Sequence, residues 1–384
     1  MFHTASEDEI KKGRTTDIYF SRAREILEKK GIRREVVAEC TVSSLPEGYQ
    51  WGIFAGAEEV AHLFEGYDVD VYSLPEGSIF YPREPVIRIE GDYKEFCELE
   101  TPLLGLICQA SGIATKAARL KKVAGERTIL SFGVRRMHPA IAPMIDRAAY
   151  IGGVDGFSCV AAEGLLGKKA SGTMPHALII AMGDQVEAWK AFDEVIAKDV
   201  PRVALIDTYY DEKAEAIMAA ETIEDLWGVR LDTPGSRRGD IKAIVDEVRW
   251  ELDIRGFKDV KIVVSGGVDE EDIPELDKVD AFGIGTSISN ARTINFAMDI
   301  VEMEGKPVAK RGKYGGKKEV LRCPECLAGK RVYGGGRRVK CHVCGGVMES
   351  LLAPLVQKGK IIGEEKEADG IREFVLKQLQ KITI

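Results

Sequence analysis

Four cysteines, in Cys323-Pro-Glu-Cys326 and Cys341-His-Val-Cys344 with fourteen residues between the pairs, have the spacing of a metal centre. Each C-x2-C can fold back so that two thiolates point at one place, and two such knuckles complete a tetrahedron around Zn2+. Four cysteine ligands leave no position open for water or substrate, so the zinc expected here is structural. Ligation of this kind contributes roughly 10–16 kcal/mol, enough to hold a module with little apolar core of its own. A disulfide pair or an iron site are the alternatives for the same four thiols. Cys40, Cys97, Cys108 and Cys159 stand singly in apolar contexts and read as reduced packing residues.

A second set of reactive side chains recurs where short apolar runs end. ILSFGVRR (129–136), VALIDTYYDE (203–212), VRLDTPGSRRG (229–239), IVVSGGVD (262–269) and AFGIGTSIS (281–289) deliver Arg135, Asp207, Asp232, Ser265 and Thr286. Ser265-Gly266-Gly267 and Gly283-Ile-Gly285-Thr286 put small residues where a helix begins. Free backbone N–H groups and the helix dipole favour phosphate there. Asp207 and Asp232 are candidate helix caps, or ligands for sugar hydroxyls or Mg2+. Arg230 precedes Asp232 by two residues and so shares its face of the strand. A cation beside an anion suits a ligand carrying both acid and hydroxyl groups. Phe132, Arg135, Arg136 and His138 form a further cluster, and His176 lies in GTMPHAL (172–178). A lone histidine is usually a satisfied hydrogen-bonding residue, so these need context.

The elements that must position these groups follow from the same runs. Four to six apolar residues between turn signals suit strands buried on both faces. The intervening segments carry helical spacing, as in Ile241, Ile244, Val245, Val248 and Leu252, closed by Gly256. Alternating strands and helices predict a parallel sheet, with an active site at the carboxyl ends of a barrel's strands. The expected fold class is α/β. An irregular α/β barrel of parallel strands over 111–287 joins an N-terminal β-rich α+β domain (1–110) and a small zinc-ribbon module (321–384). Pro-Glu-Gly and Pro-Arg-Glu-Pro turns punctuate the first region, and a long helix is expected from about Lys94 to Ala124. Over 288–320 the pattern predicts a return helix (290–302) and a basic, glycine-rich arm, and a charged helix over about 364–382 ends the chain.

The 384 residues, 45% apolar, can build two or three cored domains. No apolar stretch reaches membrane-spanning length and no secretory signal opens the sequence, so a cytoplasmic location without membrane partners is expected. A net charge of -8 argues against coating nucleic acid, although residues 306–342 hold twelve Lys and Arg against two acids. A zinc-ribbon nucleic-acid-binding protein is the rival class, drawing on Arg331, Arg337, Arg338 and Lys340. Tyr333 alone offers no stacking face for it.

TTDIY (15–19), SFGVRR (131–136), GTMPH (172–176), RLDTPGSRRGD (230–240), VVSGG (263–267) and FGIGTS (282–287) together resemble the nicotinate phosphoribosyltransferase family, most closely its archaeal, zinc-ribbon-bearing branch. The resemblance implies an irregular seven-stranded barrel and a head-to-tail homodimer with shared active sites, and it allows a larger oligomer. It also implies formation of nicotinate mononucleotide and pyrophosphate from nicotinate and phosphoribosyl pyrophosphate, with Mg2+ and commonly ATP, in NAD biosynthesis.

By that resemblance His176 is the histidine that is phosphorylated, Phe132 stacks on the pyridine ring, and Tyr19 covers its other face from the neighbouring subunit. Arg230 lies near the ring carboxylate, Asp232 holds ribose hydroxyls, and Arg135 faces the pyrophosphate. Lys310, Arg311 and Lys313 form an arm reaching phosphates across the dimer, with Arg22 serving the same end. Thr173 and Asp207 join the substrate site. Ser265, Gly266, Gly267, Gly285 and Thr286 would anchor the 5′-phosphate. The family's Gly-Thr-Ser-Asn stands here as Gly156-Phe157-Ser158-Cys159. A neutral hydroxyl at Ser158, where related nicotinamide enzymes carry an aspartate, can donate to a carboxylate and favours nicotinate. Quinolinate phosphoribosyltransferase is the alternative enzyme, with Arg135 and Arg136 available for a second carboxylate.

Overall fold

The computed structural model describes residues 2–233, 235–334, 338–363 and 366–384, apart from the side chains at 237 and 238. The chain forms two compact units, one of Met1–Ala118, Ile151–Gly153 and Ala291–Ile384, the other of Arg119–Tyr150 and Val154–Asn290.

The second unit is an α/β sheet. Its strands are β1 (Thr128–Ser131), β2 (Gly156–Phe157), β3 (Val203–Leu205), β4 (Gly228–Leu231), β5 (Lys261–Ser265) and β6 (Ala281–Ile284). All pair in parallel, in the order β2-β1-β6-β5-β4-β3. Val229 and Leu231, Ile262 and Val264, and Phe282 and Ile284 are fully buried, which is why the strands read as apolar runs. Helices follow with acidic caps. Asp211 accepts from Ala214 N before Glu212–Thr222, and Asp240 accepts from Lys242 N and Ala243 N before Ile241–Ile254. The latter helix buries Val245, Val248 and Leu252.

Six strands in an open order replace the expected closed ring of seven among the described residues. Between β2 and β3 the chain runs through residues 171–175, where Gly172 weakens a ladder and Pro175 has no N–H to give it. Ser171 N donates to Phe157 O at 2.6 Å, and Met174 O accepts from Arg230 Nη2 at 3.1 Å.

The first unit centres on a seven-stranded antiparallel sheet: Lys306–Pro307, Ala297–Met303, Glu35–Thr41, Ile87–Asp92, Val69–Ser73, Ala353–Gln357 and Lys360–Ile361, in that spatial order. The return helix expected over 290–302 is instead the strand Ala297–Met303, paired with Glu35–Thr41 from Val36↔Met303 to Thr41↔Ala297. Ile294, Phe296, Met298 and Ile300 alternate, and all four join the same core. That period of two is a strand signal that outweighs the helical reading. Glu304 and Gly305, with φ of 50° and 73°, turn the chain into the next strand.

The cysteine module is a three-stranded sheet of Lys318–Arg322, Gly329–Tyr333 and Glu349–Ser350. Lys318 and Arg322 lie four residues apart on one strand and share a face. Lys318 Nζ pairs with Glu39 Oε2 at 2.8 Å and Arg322 Nη2 with Glu84 Oε2 at 2.6 Å, all four side chains buried. Burial raises the Glu39 and Glu84 carboxyls above their ordinary range, and the partner cations oppose the shift. Removing one partner of such a pair costs about 3–5 kcal/mol, so these contacts fix the module in the unit. The C-terminal helix spans Ala368–Leu379, residues 364 and 365 lying outside the described residues. Gln378 accepts from Ile79 N and donates to Gly77 O. No helix among the described residues is long and apolar enough to cross a membrane.

Candidate active site

A cleft of 1020 Å³ opens at the carboxyl ends of the parallel strands of the second unit. It gathers twelve of the residues nominated from sequence: Phe132, Arg135, Ser158, Thr173, His176, Arg230, Asp232, Ser265, Gly266, Gly267, Gly285 and Thr286. Backbone economy makes the room. A Cβ at Gly283 would meet the Phe132 ring at 2.5 Å, so only glycine lets that ring lie across the end of β6. Gly266 and Gly267 have φ of 82° and 80°, which turns the chain sharply after β5.

The strand ends are tied to one another by carboxylates. Asp207, after β3, accepts at Oδ2 from Asp232 N at 2.8 Å and lies 3.0 Å from Thr233 Oγ1. Asp232, after β4, accepts at Oδ1 from Ser265 Oγ at 2.9 Å. Its Oδ2 stands 3.9 Å from Arg230 Nη2 and 4.0 Å from His176 Nε2. The imidazole is held on both sides, with Nδ1 3.0 Å from Thr208 Oγ1 and Nε2 3.5 Å from Asp207 Oδ1. Burial raises the Asp207 carboxyl, against the Asp232 N–H and His176, which lower it. Burial likewise lowers the Arg230 guanidinium, opposed by Asp232 and Asp207.

Three buried atoms here have no hydrogen-bond partner: Asp207 Oδ1, Arg230 Nε and Ser287 Oγ. Unpaired polar groups are costly, and those of Arg230 and Ser287 border the cleft, where a ligand can satisfy them. Asp207 is not a wall of the cleft; only 3% of its side chain is exposed, behind His176. Arg135 and Arg136 are exposed on the turn Val134–Arg136 at the rim. His138 is a local cap, its Nδ1 accepting from Ala140 N at 3.2 Å.

Tyr19, Arg22, Lys310, Arg311 and Lys313 belong to the other unit. Tyr19 is 57% exposed on the helix Ile18–Lys29, its hydroxyl donating to Asp17 Oδ2. Lys310 and Arg311 are exposed, and Lys313 pairs with Asp299 at 2.9 Å.

Sequence reasoning missed the supports. Buried Asp146 accepts from Ser131 Oγ at 2.8 Å and Cys159 N at 2.9 Å, tying the end of β1 to the turn that carries Ser158. Burial raises this carboxyl too. Buried Glu215 and half-buried Thr208 hold the chain behind His176. An acid within a helical run gives no pattern from which such a role can be read.

In the other unit the four Sγ atoms of Cys323, Cys326, Cys341 and Cys344 lie within 4.8 Å of one another. The two knuckles repeat one geometry. Cys323 N donates to Ala328 O and Leu327 N to Cys323 O, while Cys341 N donates to Gly346 O and Gly345 N to Cys341 O. Leu327 and Gly345 both take positive φ, 59° and 79°. Four thiol donors so arranged fit a metal ion such as zinc. Around them Arg331, Arg338 and Lys340 are exposed, and Arg337 lies outside the described residues.

Models of the quinolinate phosphoribosyl transferase N-terminal and C-terminal domains match residues 17–111 and 113–299. Nicotinate phosphoribosyltransferase pncB1 of Mycobacterium tuberculosis is 35% identical over 272 residues, covering 66% of this chain and 59% of that protein. The nicotinate phosphoribosyltransferase of Bacillus subtilis is 32% identical over 314 residues, covering 72% and 63%. The chain thus spans less than two thirds of the length of these curated relatives. A crystal structure of nicotinate-nucleotide pyrophosphorylase from Pyrococcus furiosus superposes with a TM-score of 0.98 at 56% identity, over 100% of this chain and 99% of that one. Both domains in order and a likeness over the full length lead to one conclusion: the chain belongs to the nicotinate and quinolinate phosphoribosyltransferase family.

Proposed function

We propose that the chain is a nicotinate phosphoribosyltransferase, forming nicotinate mononucleotide and pyrophosphate from nicotinate and phosphoribosyl pyrophosphate. The observation that carries this reading is the company Arg230 keeps. Its guanidinium, buried with Nε unpartnered, shares one cleft with the Phe132 ring, the Ser265-bound Asp232 and the Gly266-Gly267 and Gly285 turns. A flat anionic ring and a phosphorylated sugar find complementary groups side by side there.

The reaction breaks the C1–O bond with positive charge building on the ribose, while the pyridine nitrogen attacks. The ring nitrogen is already nucleophilic, so the residues position the partners and stabilise the leaving anion rather than act as a strong base. Phe132 stacks on the ring and Arg230 pairs with its carboxylate. Asp232 takes ribose hydroxyls, Ser265, Gly266, Gly267, Gly285 and Thr286 hold the 5′-phosphate, and Arg135 faces the pyrophosphate with Thr173 beside it. Neutral Ser158 admits a carboxylate that an aspartate would repel. Mg2+ would add positive charge at the leaving group, with Asp232 the carboxylate that lines the cleft and could hold it. ATP coupling would act by phosphorylating His176, adding charge at the site.

The reading extends to assembly. Residues 111–287 carry the chemistry, as an irregular barrel in which 171–175 stands in for a strand. In a homodimer, exposed Tyr19, Arg22, Lys310 and Arg311, with Lys313, complete the neighbouring subunit's site. The module over 321–384 holds structural zinc, which supports the archaeal, zinc-ribbon-bearing branch and a cytoplasmic role in NAD biosynthesis.

Quinolinate is the second reading, favoured by the family models and by Arg136 standing next to Arg135 at the rim. Turnover of nicotinate, nicotinamide and quinolinate, assayed in parallel with and without ATP, separates the two. Nicotinate mononucleotide formed from nicotinate is the expected result. Product from quinolinate alone, with release of CO2, would overturn the proposal.

A further inference from the structure

Glu215 is a carboxylate that the proposed reaction does not use, yet it is fully buried, on the helix Glu212–Thr222. Three successive backbone N–H groups converge on it. Thr208 N donates to Oε2 at 3.1 Å, and Tyr209 N and Tyr210 N donate to Oε1 at 2.7 and 2.8 Å. These residues form the turn that leaves β3, and the first carries the hydroxyl 3.0 Å from His176 Nδ1. Asp207, one residue earlier, presents Oδ1 to Nε2.

Asp207 Oδ1 makes no hydrogen bond to the ring, yet at 3.5 Å from Nε2 its charge favours the tautomer with the proton on Nε2, and the Thr208 hydroxyl then donates to Nδ1. The other charged groups facing the ring are Asp232 at 4.0 Å and, beyond it, Arg230. Which nitrogen carries the proton thus depends on where the 207–208 backbone is held. Charge-assisted bonds from three consecutive N–H groups are the means of holding it.

We propose that Glu215 is a positioning residue for His176. By fixing the turn 208–210 it sets the Thr208 hydroxyl against Nδ1, and so selects the tautomer and orientation of the ring. This stands on the hydrogen bonds alone. Only its kinetic consequence rests on the proposed nicotinate activity.

The test uses the full chain with 15N-labelled histidine, reading the two ring nitrogens of His176 by NMR, the signal assigned with H176Q. The variants are E215Q, E215D, T208V, T208S and the double E215Q/T208V. The Gln amide offers one acceptor where the carboxylate offered two, so E215Q cannot satisfy all three N–H groups. The wild-type signal is expected in the Nε2–H form. T208V and E215Q should both shift it toward a tautomer mixture, with the double variant no further displaced than either single and T208S restoring the wild-type pattern. E215D, which keeps the charge but retracts it, should lie between.

Folded Glu215 variants with the wild-type His176 pattern would overturn the proposal. So would additive shifts in the double variant, because the two residues would then act separately. If neither Glu215 variant folds, the residue is structural and the proposal fails. Where nicotinate turnover is measurable, E215Q should lower kcat and leave KM for nicotinate unchanged. Absence of turnover in the wild type would defeat the functional reading while leaving the NMR result to stand on its own.

Discussion

Asp207 Oδ2 accepts the backbone N–H of Asp232 at 2.8 Å, so the side chain ending one strand fixes the main chain ending the next. The Asp232 carboxylate in turn receives Ser265 Oγ from the strand beyond. Three neighbouring strand ends are thereby locked in register at the floor of the cleft by the chain's own side chains. Such preorganisation places charge where the reaction needs it without reorganisation during the reaction.

Asp207→Asn tests whether that carboxylate is kept for function. Burial raises its carboxyl, so the charged form lowers stability as pH rises above its ordinary range. Asparagine removes that penalty and can still accept from Asp232 N. The expected outcome is a denaturation midpoint at neutral pH equal to or above wild type, with turnover lower by roughly 10- to 100-fold, the size of about 1.5–3 kcal/mol from a charged hydrogen bond.

Ser158→Asp places an anion beside the turn that Asp146 holds through Cys159 N. Nicotinate use should fall at least about tenfold through like-charge repulsion, whereas nicotinamide should be affected less. The ratio of kcat/KM for the two bases measures this. An unchanged ratio would mean that Ser158 does not face the ring substituent.

Cys326→Ser removes one of the four clustered thiols. Zinc measured by atomic emission should fall well below one ion per chain. The thermal midpoint should fall as well, since ligation of this type is worth roughly 10–16 kcal/mol to an isolated module. Chelation of the wild type should reproduce the loss and added Zn2+ should reverse it.

Glu100 gives a pH signature in the other unit. Burial, then Asp299 and Asp17, push its carboxyl from 4.5 to about 7. The folded state holds this proton more tightly than the unfolded state, so its contribution is complete below pH 4.5 and is lost as pH rises to 7. Glu100→Gln should abolish that decline. Chemical-denaturation midpoints should coincide for variant and wild type near pH 4 and favour the variant near pH 8.

Much of the site was legible because strand ends announce themselves. Asp207 and Ser265 each follow a fully apolar run, Asp232 follows one broken only by Arg230, and the pattern predicts their common location. The four cysteines were equally plain from spacing. What stayed hidden was contact across sequence distance. Glu215 looks like one more acid in a charged helix, and Asp146 sits in an ordinary amphipathic stretch, yet both are buried acceptors of main-chain N–H groups. The strand Ala297–Met303 was misread although Ile294, Phe296, Met298 and Ile300 alternate, because its polar members Asp299 and Glu302 also fit a helical face. The open side of the parallel sheet was unreadable for another reason. Residues 171–175 follow neither period and make a single backbone bond to Phe157.

The claim that one cleft grips ring carboxylate and ribose phosphate together is tested most directly by calorimetry with two ligands, nicotinate mononucleotide and ribose 5-phosphate. Arg230→Ala should weaken the nucleotide by about tenfold or more and leave ribose 5-phosphate unchanged, while Thr286→Val should weaken both. Wild-type affinities for both ligands in both variants would contradict the account.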